Sequence, residues 1–112
     1  MEKIYNKLVR DNIPTIIEQD NEVPFTRILN DNDYKKELYK KLKEECDEVI
    51  DSKNTFELLE ELADLLEVIK SIAQLEDKTI DDIIETANQK KLKRGGFEKI
   101  IFLEKTLLDK NM

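Results

Sequence analysis

Two pairs of carboxylates carry the chemical interest of this sequence: Glu45 with Glu48, and Glu61 with Asp64, each pair spaced by three positions with twelve residues between the pairs. On a helix turning about 100° per residue, Glu45 falls inside the apolar arc that runs from Tyr34 through Leu38, Val49, Leu42 and Cys46 to Ile50, and Glu48 lies at its edge. Glu61 falls between Ile72 and Val68 at the margin of a second arc centred on Leu62, and Asp64 sits just outside it. Ionised carboxylates held against apolar neighbours are costly, and four that converge raise one another's pKa unless cations neutralise them. A hard divalent cation suits such a set. Mg²⁺ takes oxygen ligands, keeps waters and leaves positions for phosphate oxygens. Spacing alone is weak support, because 26 acids in 112 residues give about six acid pairs at this spacing by chance. What is informative is two pairs at the core margins of neighbouring helices, against the alternative of solvated or lysine-paired surface acids.

The charge is distributed unevenly. The chain is 40% Asp, Glu, Lys and Arg with a net charge of −7, yet residues 41–70 hold 10 acids against 4 bases while residues 86–112 hold 3 against 7. An acidic middle and a basic end suit a site for metal and phosphate, and the overall sign argues against general nucleic-acid or anionic-membrane binding. Lys90, Lys91, Lys93 and Arg94 precede Gly95-Gly96; they complement a helix C-terminal dipole, and are equally suited to holding phosphate oxygens.

The elements that must position these groups are helices. With only 2 Gly and 2 Pro, the chain has little material for the tight turns of a sandwich or barrel. Asn12-Ile13-Pro14 predicts a helix start running to about Gln19. Asp31 and Asp33 are expected to cap a helix running to about Asp51. Asn54 with Glu57 starts another, to about Gln74, and Thr79 with Asp82 a third that ends at Gly95-Gly96. The 24–29 piece alternates as a short strand does, and the apolar 97–108 stretch is compatible with pairing to it as a hairpin. At this length a single domain over residues 1–112 with a thin core is expected, which a partner subunit would thicken.

Several chemistries are excluded by composition. The chain has no histidine, so Ser-His-Asp and Cys-His catalysis and His-ligated zinc are absent. The single Cys46 reads as a packing residue. No apolar run approaches the roughly 18 residues of a membrane span and no signal-peptide core is visible at the start, so a cytoplasmic protein is expected.

Glu44-Glu45-x-x-Glu48 followed by Glu61-x-x-Asp64 resembles the E-E-x-x-E…E-x-x-D signature of the all-α nucleoside triphosphate pyrophosphohydrolases, the MazG-like and phosphoribosyl-ATP pyrophosphohydrolase-like superfamily. Lys7-Leu8-Val9-Arg10-Asp11-Asn12-Ile13-Pro14 and Lys90-x-x-x-Arg94-Gly95-Gly96-Phe97-Glu98-Lys99 look like the ends of its small, single-domain branch. The resemblance implies a mainly α, MazG-like helical bundle. It implies Mg²⁺-dependent (or Mn²⁺-dependent) cleavage of a nucleoside triphosphate between the α and β phosphates, as in nucleotide-pool house-cleaning. By the same resemblance Glu45, Glu48, Glu61 and Asp64 are the metal ligands and Glu44 orients or deprotonates the attacking water. Lys90 and Arg94 contact substrate phosphates, Arg10 contacts substrate or, with Asp11, supports the site or the dimer, and the chain assembles as a homodimer or homotetramer. Phosphoribosyl-ATP hydrolysis is the narrower alternative, and a non-catalytic helical dimerisation or regulatory module that keeps the fold is the alternative from another class.

Overall fold

A computed structural model describes residues 1–109. The described residues form four helices and no strand: α1 (Ile13–Gln19), α2 (Asp31–Asp51), α3 (Thr55–Leu75) and α4 (Ile80–Arg94). The chain divides into two compact units, residues 1–80 and 81–112.

In the first unit the packing is that of α2 on α3, two helices of 21 residues each. A connection of only three residues, Ser52-Lys53-Asn54, forces them antiparallel. The ends are closed locally. Asn30 accepts from the backbone N–H of Asp33 at 2.8 Å and so caps α2, a role the sequence assigned to Asp31 and Asp33. Those two acids lie in the first turn instead, where their charge favours the helix dipole. At the turn, the Ser52 hydroxyl donates to the Val49 carbonyl at 2.8 Å. The Glu57 N–H then donates to Asn54 Oδ1, and the Lys53 N–H to Glu57 Oε2, both at 2.9 Å. Both α1 and α3 end in the paired bonds of a Schellman turn, with Asn21 at φ 65 and Asp77 at φ 56 in the left-handed position that usually takes glycine.

The core is thin. Leu38, Val68 and Ala73 are the buried apolar residues among those described, and Glu45 is buried with them. The packed side of α3 is displaced from Leu62 toward Val68 and Glu61, because a single partner helix covers only part of a broad apolar arc. Phe56, Leu59, Leu62 and Leu66 on α3, and Tyr39 and Ile50 on α2, stay exposed. Cys46 is half-buried with a free thiol.

In the second unit α4 carries Asp81 and Asp82 in its first turn and Lys91, Lys93 and Arg94 in its last. Gly95, at φ 82, ends the helix with an N–H donated to the Lys91 carbonyl at 2.8 Å. Lys91 Nζ then pairs with Glu98 Oε1 at 3.4 Å. The Glu98 carboxylate lies against Gly96, where a Cβ would collide with it.

The hairpin expected from 24–29 and 97–108 does not form: neither segment is a strand. Phe25 and Ile28 are almost fully exposed, so the alternation at 24–29 has no apolar face to bury. The 97–108 run is interrupted at Ile100, whose φ of 57 takes a β-branched residue out of the extended region.

Candidate metal centre

The antiparallel register brings the two carboxylate pairs together. Positions 45 and 64, like 48 and 61, are equidistant from the midpoint of 54 and 55, so Glu45 falls opposite Asp64 and Glu48 opposite Glu61. One carboxylate oxygen from each of Glu45, Glu48, Glu61 and Asp64 lies within 4.8 Å of the others. Burial across the group is graded: Glu45 is buried, Glu61 and Asp64 are half-buried, and Glu48 is exposed. The carboxylates stand along the seam between the helices: Glu45 is inside and Glu48 at the open edge, as their places on the apolar arc predict, while Asp64 lies further in than its place just outside the second arc.

The electrostatics are those of a cluster short of positive charge. Hydrogen bonding to Glu48 raises the Glu61 carboxyl from its ordinary 4.5 to about 7, with desolvation and the charges of Glu48, Asp64 and Glu45 adding to the shift. Burial raises Glu45 first, helped by the charge and hydrogen bond of Glu48 and the charge of Asp64, while Lys41 opposes the rise. Lys41 Nζ stands 3.9 Å from Glu45 Oε1. Arg10 Nη2 donates to Asp64 Oδ1 at 2.7 Å. Two oxygens remain buried without a partner, Glu45 Oε2 and Glu61 Oε2. An all-oxygen donor set with two orphaned, solvent-shielded acceptors fits a hard divalent cation of the Mg²⁺ or Mn²⁺ kind.

The other residues singled out by sequence are placed as follows. Glu44 is half-buried on α2, one position before Glu45, and lies outside the four-carboxylate group. Arg10 reaches the cluster itself, through Asp64. Lys90 and Arg94 are exposed on α4, in the second unit. Sequence reasoning missed Lys41, although its place one turn before Glu45 is the i, i+4 spacing at which helix charges meet. No periodicity announces the contact of Arg10 with Asp64, 54 positions away.

A helix hairpin that gathers four carboxylate oxygens defines an all-α protein with an oxygen-lined candidate cation site. The family model of the MazG nucleotide pyrophosphohydrolase domain matches residues 34–95, which takes in all but the first three residues of α2, the whole of α3 and α4, and more than half of the 112 residues. The chain belongs to that family. Neither the curated proteins nor the solved structures yield a match to it.

Proposed function

We propose that this protein is a Mg²⁺-dependent nucleoside triphosphate pyrophosphohydrolase that cleaves between the α and β phosphates and serves nucleotide-pool house-cleaning. Membership of the MazG family supports the reaction class. The observation that carries the proposal is the gathering of four carboxylate oxygens within 4.8 Å with two of the group's buried oxygens unpartnered.

Glu45, Glu48, Glu61 and Asp64 would hold the cation, with Mn²⁺ as a substitute for Mg²⁺. When bound, it supplies Lewis-acid stabilisation of the phosphate oxygens and makes a water acidic enough to attack near neutral pH. Water gives its oxygen to the phosphoryl group, the α–β anhydride bond breaks, and a monophosphate and pyrophosphate leave. Glu44 orients that water or takes its proton. Lys90 and Arg94 contact phosphates, for which guanidinium and ammonium groups are suited, and Arg10 contacts substrate or supports the site. The family match runs through the boundary at Ile80, which supports treating residues 1–112 as one domain.

The proposal extends to a homodimer or homotetramer working in the cytoplasm. The exposed Phe56, Leu59, Leu62 and Leu66 favour a partner subunit, and among the described residues no helix is long and apolar enough to cross a membrane.

Incubation of the purified protein with a panel of nucleoside triphosphates and phosphoribosyl-ATP, with Mg²⁺ or Mn²⁺, tests the proposal by pyrophosphate release. Release from triphosphates, lost in Glu61→Gln and Asp64→Asn, is the expected result. Turnover of phosphoribosyl-ATP alone would move the assignment to histidine synthesis, and no pyrophosphate from any substrate would overturn it in favour of a non-catalytic module.

A further inference from the structure

The contact between Arg10 and Asp64 is the feature of the site that the reaction above leaves unused. Arg10 lies in the segment before α1, and its guanidinium engages Asp64 through a single nitrogen, Nη2 to Oδ1 at 2.7 Å. Both side chains are substantially exposed, 56% and 42%. An ion pair that open to water adds little to the stability of a fold. Its position is what distinguishes it, because Asp64 is one of the four residues whose oxygens converge. The local capping contacts at Asn30 and Asn54 span three positions each, whereas this one joins residues 54 apart.

We propose that Arg10 is a positioning residue for Asp64: it fixes the carboxylate through Oδ1, so that Oδ2 is presented to a divalent cation, and thereby makes the N-terminal segment part of the metal centre. The inference rests on the cation-binding reading of the cluster. A carboxylate free to rotate about χ2 offers its oxygens in many directions; one held by a charge-assisted hydrogen bond offers a single oxygen in a fixed direction. Outer partners of this kind typically change metal affinity by 10- to 100-fold when removed. The long Arg10 side chain brings its charge to the rim of the cluster while leaving the rest of its fork open to solvent. Lys41, by contrast, stands 3.9 Å from Glu45 and holds no carboxylate at hydrogen-bond distance.

Calorimetric titration of the full chain with Mn²⁺ at pH 8, alongside thermal melting without divalent cation, tests the proposal. Wild type is expected to bind Mn²⁺, Arg10→Gln to bind it at least about tenfold more weakly, and Arg10→Lys, which keeps the charge without the fork, to fall between. The cation-free melting temperatures of the three are expected to agree within a few degrees. Unchanged or tighter Mn²⁺ binding by Arg10→Gln overturns the positioning role and leaves the cation site standing. Collapse of melting in both variants overturns it in favour of a fold-holding role. Failure of wild type to bind Mn²⁺ removes the cation site itself, and the inference with it.

Discussion

At the scale of single residues, the chemistry turns on protons that the cluster retains. Glu61, raised from 4.5 to about 7, is protonated in the folded chain over an interval where the unfolded chain is ionised. The folded state therefore holds more protons between those values, and this group's contribution to stability falls as pH rises through that interval and stays low above it. Without divalent cation, the melting temperature is expected to fall between pH 5 and pH 8, and to fall less in Glu61→Gln. An undiminished slope in that variant would assign the effect to other groups. Cation and proton compete for the same oxygens, so Mn²⁺ binding is expected to tighten over the same interval, with calorimetry as the measure. The four carboxylates were legible in the sequence because helical periodicity carries them; the Arg10 contact was not, because its partner is 54 positions away, past all of α1, all of α2 and the first turns of α3.

At the scale of elements, the hairpin is held in register by its turn. Asn54 supplies the acceptor for the Glu57 N–H, so Asn54→Ala is expected to destabilise the fold by about 1 kcal/mol. Denaturant melts read the loss, and lower affinity for Mn²⁺ should accompany it if the frayed turn lets Glu61 drift. Asp77 occupies a left-handed position at φ 56, and Asp77→Gly is expected to stabilise α3 modestly, because glycine takes that conformation without a Cβ penalty. The four helices and their ends were readable from caps, the Gly95 stop and apolar period. The strands were not, because alternation in 24–29 and apolarity in 97–108 describe what a segment would do given a partner sheet, and neither segment acquires one. The centre of the packed face was misplaced for a related reason: the apolar arc of α3 is wider than one neighbouring helix covers, and a wheel cannot say which part will be covered.

At the scale of the molecule, stability and ligation are linked. A cation that binds only the folded chain adds about 2.7 kcal/mol at a hundred times its dissociation constant, a large fraction of what a thin core supplies. Mg²⁺ or Mn²⁺ is therefore expected to raise the melting temperature of wild type, and to do so much less for Glu45→Gln, which loses the buried carboxylate of the cluster. A concentration-dependent sedimentation profile is the expected result if the exposed leucines pair with the proposed partner subunit. The register of the hairpin has a further consequence for which sequence changes the chain can accept. One extra residue within either helix between Glu48 and Glu61 turns everything beyond it by about 100° and shifts it by about 1.5 Å, which takes Glu61 and Asp64 out of reach of Glu45. The helical residues among the twelve that intervene are thus a ruler of fixed length, closed to insertion and deletion, whereas the stretches before Asn30 and after Leu75 can lengthen without disturbing the spacing of the four acids.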